Sequence, residues 1–218
     1  MVLILGSRST IAQSNDSNYS LVLASGFLCD PDHAEACPAV AKNANGSTFE
    51  MSGAGMFDAQ NKSVKAAGTY THKSPNGNAL ETGVWIASEL VSFGSYGIAP
   101  AALRKQGLAL GPRPFGPKRL PISSSQMPTG GFAVFRIRLF PISGASTTAL
   151  LQVNCALGEV PRERSVEGIR LTLGENSTDF SEEVSGRVMF LAMRPDLSAP
   201  AKTPQQEAVP ESPEPPNN

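Results

Sequence analysis

The pattern of hydrophobic and polar positions predicts a three-stranded antiparallel meander between Ser47 and Tyr96. Its second turn lies in Ser74-Pro-Asn-Gly-Asn78, where Asn-Gly favours a two-residue type I′ hairpin because both central residues must tolerate positive φ. This turn fixes the register of the two strands that it joins. The predicted pairs are His72 with Glu81, Tyr70 with Gly83, Gly68 with Trp85, and Val64 with Glu89.

The first turn of the meander, placed at Asp58 to Ser63, extends the register to the preceding strand. It pairs Phe57 with Val64, Gly53 with Gly68, and Phe49 with His72. We expect the indole of Trp85 to lie across Gly53 and Gly68, where the absent side chains leave room for it. The predicted core face carries Phe49, Met51, Gly53, Gly55, Phe57, Val64, Tyr70, Trp85, Val91 and Phe93.

The rest of the chain predicts further strands and one short helix. Proline at position 100 and glycine at 107 bracket that helix, and Glu35 to Asn43 could form another turn of helix that Pro38 limits. Five prolines between Gly111 and Gly131 predict a long covering loop, since proline cannot donate to a sheet. The other strands are predicted at Leu21–Cys29, Phe132–Phe140, Thr147–Leu157, Val166–Leu173 and Phe180–Met193.

These elements predict a single all-β domain, an antiparallel β-sandwich or partly closed β-barrel with a short helix. The domain spans residues 21–195, with the meander at 47–96, the proline-rich loop at 111–131 and a second strand set at 132–193. Residues 196–218 are rich in Pro and Glu and lack aromatic residues. We expect them to form a disordered tail, because they cannot bury enough surface to offset the ordering entropy.

Composition adds a little to the prediction of the protein class. The 218 residues include 20 Gly and 18 Pro, with 6% aromatic residues, which suits a turn-rich β-protein and argues against an aromatic-lined sugar or nucleic-acid groove. No apolar run is long enough to span a bilayer as a helix. Residues 1–20 resemble the end of a secretory signal, although they lack its basic start, or else form a disordered N-terminus. We therefore expect an exported protein, periplasmic or extracellular.

The cysteines support the same expectation. Cys29 and Cys37 bracket a short loop and are the predicted disulfide pair if the protein is exported. Cys155 alternates with apolar residues along a strand, where a free thiol acts as a small hydrophobe. A metal site of Cys29, His33 and Cys37, with Asp32 and His72 nearby, is the weaker alternative, because the chain has no paired metal-ligand motif.

The sharpest candidate for chemistry is the predicted pair of His72 and Glu81. A carboxylate opposite an imidazole can orient it for acid–base work, and Tyr70 and Glu89 would share the barrel interior with them. At a hairpin tip, a solvated ion pair is the simpler interpretation. No serine-nucleophile motif occurs, and Gly53-Ala-Gly55 lacks the third glycine of a dinucleotide loop.

Charge is segregated although the formal net charge is −1. No acidic residue lies between Glu89 and Glu159, so the middle of the chain is basic. A solvated surface is the simpler interpretation, an anionic partner is the alternative, and nucleic acid is not expected. The basic residues that would meet an anionic partner are Arg104, Lys105, Arg113, Lys118 and Arg119.

Two functions remain open from the sequence. The preferred hypothesis is a non-catalytic exported β-domain with a binding or structural role, since no nucleophile, metal or cofactor motif survives and no cofactor is expected. The alternative is a small-molecule-binding or isomerase-like barrel that uses Tyr70, His72, Glu81 and Glu89 as interior polar groups. Whether the face that carries Trp85 encloses a cavity or packs solid separates the two.

Overall fold

A computed structural model describes residues 18–99, 126–174 and 178–193. The described residues form one antiparallel sheet of 11 strands, which confirms the all-β prediction. Their only helices are three short 3-10 turns, at Gly26–Leu28, Ala34–Ala36 and Arg162–Arg164. The strands are β1 Asn18–Leu23, β2 Ala39–Lys42, β3 Thr48–Asp58, β4 Ser63–Lys73, β5 Ala79–Ile98, β6 Gln126–Pro141, β7 Thr147–Cys155, β8 Gly168–Leu173, β9 Thr178–Phe180, β10 Glu182–Ser185 and β11 Val188–Met193.

Several sequence predictions fall outside the described residues. They are the helix that begins at Pro100, the proline-rich loop as far as residue 125, the signal-like start up to residue 17 and the tail from residue 196. The basic residues Arg104, Lys105, Arg113, Lys118 and Arg119 lie in the same undescribed stretch as the helix and the loop. Within the described residues, no helix is long and apolar enough to cross a membrane.

The meander has the predicted register over most of its length. Strands β3 and β4 pair from Thr48–Lys73 to Asp58–Ser63, so Gly53 lies opposite Gly68. Strands β4 and β5 place His72 opposite Glu81 and Gly68 opposite Trp85. The two-residue alternation of a strand and the positions of the two turns explain this success, because a one-residue slip would turn the large apolar side chains outward.

The type of the second turn was predicted wrongly. The amide of Gly77 donates to the carbonyl of Ser74, so Pro75 and Asn76 are the central residues of the turn and only Gly77 has positive φ, at 81°. Proline fixes φ near −65°, which suits the first central position of a type I turn, and the following left-handed glycine forms a bulge. A register shift after His72 absorbs the extra residue.

The distal half of β5 also departs from the prediction. Its recorded pairing with β4 stops at Ile86, and Glu89 lies opposite Arg136 of β6 rather than opposite Val64. Three register shifts interrupt the β5–β6 pairing, and bulges of this kind change which face a side chain occupies. Leu90 is therefore the buried residue, whereas the predicted core residue Val91 is only partly buried.

Strand pairing closes part of the sheet into a ring. Strands β1, β3, β4, β5, β6 and β11 pair in a cycle, so the chain realises the partly closed barrel of the two predicted architectures. Strands β2 and β10 continue from β3, and β7, β8 and β9 continue from β6. The two extensions of the sheet come together at β10 and β8, which lie side by side without backbone pairing.

Three predicted strand boundaries were wrong. The first strand ends at Leu23 rather than Cys29, because Ala24 and Gly26 take positive φ and start a 3-10 turn. The predicted helical turn after Glu35 is limited to Ala34–Ala36, and residues 39–42 form strand β2 instead. Phe180–Met193 is three short strands, with a positive φ of 101° at Gly186 between the last two.

Part of the predicted proline-rich loop belongs to β6, and Pro128 lies within this strand opposite Leu191. The carbonyl of Pro128 accepts the amide of Ala99, one residue beyond the end of β5. Pro128 therefore accepts a hydrogen bond from the end of β5 but has no amide hydrogen with which to return it.

Trp85 is packed within the hydrophobic core. Its side chain is fully buried, and its indole nitrogen donates to the carbonyl of Ser52 at 3.1 Å. A Cβ on Gly68 would lie 2.7 Å from this nitrogen, so the predicted packing of the indole over the paired glycines is confirmed. Aromatic rings from the second strand set, Phe135, Phe180 and Phe190, fill the same interior.

Candidate functional site

Three of the four predicted interior polar groups meet at the hairpin end of β4 and β5. The hydroxyl of Tyr70 donates to Oε1 of Glu81 at 2.6 Å. His72 lies directly across from Glu81, as predicted. Its ring stacks on Phe49 with centroids 4.7 Å apart and meets the edge of Phe180 at 5.6 Å. We call Tyr70, His72 and Glu81 the interior group.

Burial keeps two members of the interior group, His72 and Tyr70, in their neutral forms. Burial lowers the pKa of His72, and the nearby charge of Glu81 opposes this shift without reversing it. Burial, reinforced by the hydrogen bond to Glu81, raises the pKa of Tyr70 well above its usual value of 10. At neutral pH both rings are therefore uncharged, and the phenol acts as a hydrogen-bond donor to Glu81.

Glu89 does not join the interior group, and its prediction as an interior residue was wrong. It lies on the outer face, where its Oε2 is 2.9 Å from Nε of Arg136, and about half of each side chain is exposed. The bulge between Ala87 and Glu89 turned this carboxylate outward. The four-residue interior constellation is therefore reduced to three residues.

The Cys29–Cys37 loop is closed by the predicted disulfide. The two Cα atoms are 5.4 Å apart, and both sulfurs are used in the bond. The alternative metal site of Cys29, His33 and Cys37 was therefore wrong, and Nδ1 of His33 instead contacts Oε1 of Glu35 at 2.9 Å. Within the part of the chain that the structure describes, no cluster of His, Cys, Asp and Glu is arranged to hold a metal ion.

Cys155 is free and buried, as predicted. Burial raises its pKa far above the ordinary value, so the thiol is not a thiolate at neutral pH. Its Sγ lies 3.6 Å from the carbonyl oxygen of Thr129. This cysteine is a packing residue of β7.

The structure reveals a second site that the sequence predictions missed, a cleft of about 200 Å³ on the outer face of β6, β7 and β8. Glu163, Arg164 and Val166 form one wall, and Glu183 of β10 forms the other. We call this site the outer cleft. The residues that line it are Phe132, Gln152, Asn154, Glu163, Arg164, Val166, Arg170 and Glu183.

The wall of the outer cleft is held by a buried amide, Asn154 of β7. Its Nδ2 donates to the carbonyl oxygens of Arg164 and Val166, at 2.7 and 2.5 Å, and its Oδ1 accepts the Tyr96 hydroxyl at 2.9 Å. The guanidinium of Arg164 lies 3.5 Å from the centroid of the Phe132 ring, a cation–π arrangement. These contacts fix the wall against the sheet.

The opposite side of the outer cleft is closed by an ion pair. Arg170 donates through Nε and Nη2 to the two carboxylate oxygens of Glu183, at 2.9 and 3.0 Å. The pair bridges β8 and β10, which lie side by side without backbone pairing. A bidentate pair has defined geometry, so it joins these two strands by side chains alone.

A signal for the outer cleft was present in the sequence. Phe132 lies two and three alternations before Arg136 and Arg138 in the same strand, so two-residue alternation places its aromatic ring on the face that carries these arginines. An outward aromatic residue next to outward arginines is a recognisable hint of a binding surface. Nothing in the sequence pattern indicated that Arg164 and Glu183 would lie beside it, because both come from segments far away in the chain.

Comparisons with protein-family models, with curated proteins and with solved structures gave no match to this chain. The geometry of the interior group and of the outer cleft is therefore the basis for assigning a function.

Proposed function

We propose that this chain is a non-catalytic exported β-domain with a binding or structural role. The observation that carries the proposal is the packing of the interior group. Tyr70 and Glu81 are hydrogen-bonded to each other, and the ring of His72 packs on Phe49 and Phe180. A general acid or base must offer its proton or lone pair to a substrate, and the phenol proton of Tyr70 is already donated to Glu81 within the fold.

Two observations weigh against the rival barrel function. Glu89 lies on the outer face, and phenylalanines of the second strand set pack against Phe49 and Phe57 on the face that carries Trp85. Every buried side-chain nitrogen and oxygen in the described residues has a hydrogen-bond partner. Polar groups already satisfied inside the fold favour a structural over a ligand-binding role for the interior.

Fluorescence of Trp85, the single tryptophan, tests the non-catalytic proposal. We expect its emission to stay constant when the native chain is titrated with Zn²⁺ and with a panel of small metabolites, because the indole packs against glycines rather than a cavity. The matched variant is His72→Ala. Saturable quenching that disappears in this variant would refute the proposal and restore the interior barrel site.

Export is proposed from the disulfide between Cys29 and Cys37, since such bonds persist in oxidising compartments. Thiol counting on protein isolated from the compartment in which it accumulates tests this. We expect no reactive thiol in the native chain and one after denaturation, the buried Cys155. Three free thiols in the denatured, unreduced protein would contradict export.

A further inference from the structure

The outer cleft offers balanced charge to a ligand. It contains two arginines and two glutamates, and Arg170 is neutralised by Glu183 within the bidentate pair. A cleft without net charge attracts neither anions nor cations strongly over distance. Its selectivity must therefore come from hydrogen bonds and shape.

The hydrogen-bonding groups that remain in the outer cleft include both donors and acceptors. Within the described residues, the carboxamide of Gln152 and the Nη1 nitrogen of Arg170 have no hydrogen-bond partner, and these two residues are direct neighbours on β7 and β8. An amide supplies one acceptor and two donors, and a guanidinium supplies only donors. Glu163 adds a carboxylate acceptor on the wall. This combination matches hydroxyl groups, each of which can donate and accept.

Apolar surface in the outer cleft comes mainly from Val166, which is 55% exposed, because the guanidinium of Arg164 lies over the ring of Phe132. The volume of about 200 Å³ is smaller than that of pockets for drug-sized ligands, which begin near ~300 Å³. The occupant must therefore be small, neutral and rich in hydroxyl groups, with a modest apolar face. One pyranose ring has these properties.

We propose that the outer cleft binds a single neutral sugar unit, either a free monosaccharide or the end unit of a glycan. The proposal rests on the binding role under "Proposed function" and names its ligand class. Gln152 and Arg170 contact the hydroxyl groups, and Val166 contacts the C–H face of the ring. Asn154 is a positioning residue, because it holds the wall through the carbonyls of Arg164 and Val166.

The test is a nitrogen-15 NMR titration of the full chain with the methyl glycosides of glucose, galactose and mannose, and with tetrasaccharides of the same sugars. Resonances of the Gln152 amide and of Arg170 Nε should shift saturably with at least one sugar, with Kd near ~1 mM for so small a ligand. A glycan end unit is the ligand if the tetrasaccharide binds at least as tightly as the monosaccharide. A free sugar is the ligand if only the monosaccharide binds.

Gln152→Ala should weaken binding by about tenfold, because it removes the hydroxyl-binding amide. The matched control is Gln60→Ala in the exposed β3–β4 loop, which should leave the affinity unchanged. Absence of any sugar-induced shift, or equal affinity in Gln152→Ala, would overturn the proposal. So would the same shifts produced by acetate, phosphate or glycine instead of sugars.

The two proposals fail in different ways. A silent sugar titration together with constant Trp85 emission removes the sugar and leaves the non-catalytic domain. Trp85 quenching that depends on His72 removes the non-catalytic domain, whatever the outer cleft binds.

Discussion

The interior group and the outer cleft use similar side chains in opposite environments. Each has a tyrosine hydroxyl bonded to a polar side chain, Tyr70 to Glu81 at 2.6 Å and Tyr96 to Asn154 at 2.9 Å. Each also stacks a nitrogenous side chain on a phenylalanine, His72 on Phe49 and Arg164 on Phe132.

Solvent decides what the two arrangements can do. Burial inside the sheet lowers the pKa of His72, so its ring behaves as a flat packing element. Arg164 instead lines a cleft that opens on the outer face. Titratable residues that were predicted from the strand register can therefore act as packing residues, as His72 does. The polar groups that a ligand can reach lie instead in the outer cleft, where a loop packs on the outer face of the sheet.

The largest expected effect concerns the core beneath the interior group. Trp85→Ala should lower the free energy of unfolding by about 3–5 kcal/mol, since it leaves a large cavity over Gly53 and Gly68. Urea denaturation followed by circular dichroism measures this change. The control Phe132→Ala, on the cleft side, should cost clearly less because Phe132 is only partly buried. A loss below about 1 kcal/mol for Trp85→Ala would show that the indole does not hold the two strands together.

A pH effect should come from the segment beside the outer cleft. Burial raises the pKa of Glu167 to about 7, although its Oε1 accepts the amide of Val188 at 2.7 Å. A raised folded pKa favours the protonated form, so this contribution is present below pH 4.5 and is lost as pH rises through 7. Stability should fall by about 1–3 kcal/mol between these limits.

The control for this effect is Glu167→Gln, whose unfolding free energy should lack this decline with pH. His72 contributes the opposite slope, because its lowered pKa favours the neutral ring and costs stability as pH falls below 6.5. Thermal unfolding scanned from pH 5 to pH 8 separates the two terms. An identical pH profile for native and Glu167→Gln protein would contradict the assignment.

Removing one hydroxyl from each site compares them directly. Tyr70→Phe should cost about 1–2 kcal/mol, because it leaves the carboxylate of Glu81 without its phenol donor. Tyr96→Phe should cost about 0.5–1.5 kcal/mol, because the amide of Asn154 keeps its two carbonyl acceptors. Chemical denaturation of both variants supplies the values. A larger loss for Tyr96→Phe would reverse the ranking of the two sites as stabilising elements.

The smallest effect is expected at the ion pair that closes the outer cleft. Glu183→Ala should change stability by less than about 1 kcal/mol, since the arginine that it leaves unpaired is nearly half exposed and water replaces part of the interaction. The change should shrink in high salt. Comparing denaturation midpoints at low and high NaCl checks both statements, and a large salt-independent loss would show that the pair is a core element.

The register of the meander could be predicted because the turn positions fix which residues pair, and a one-residue slip would turn the large side chains outward. Phe49 opposite His72 and Gly68 opposite Trp85 follow from this rule. Boundaries were harder to predict. Ala24 ends β1 through a turn that no apolar pattern marks. Two-residue alternation along β5 predicted that Glu89 faces the interior, but the bulges of this strand place it at the surface.

By itself the sequence determined the all-β class, the pairing of β3, β4 and β5, and the Cys29–Cys37 disulfide. It also determined that the indole of Trp85 packs over Gly53 and Gly68. These features depend on neighbours in the chain or on alternation within a strand, both of which are local. The tertiary structure decided the closure of the ring, the place of Pro128 in β6 and the outer cleft. Each of these needs segments that are distant in sequence, such as Arg170 and Glu183 of non-pairing strands, and no local pattern records which distant segments will meet.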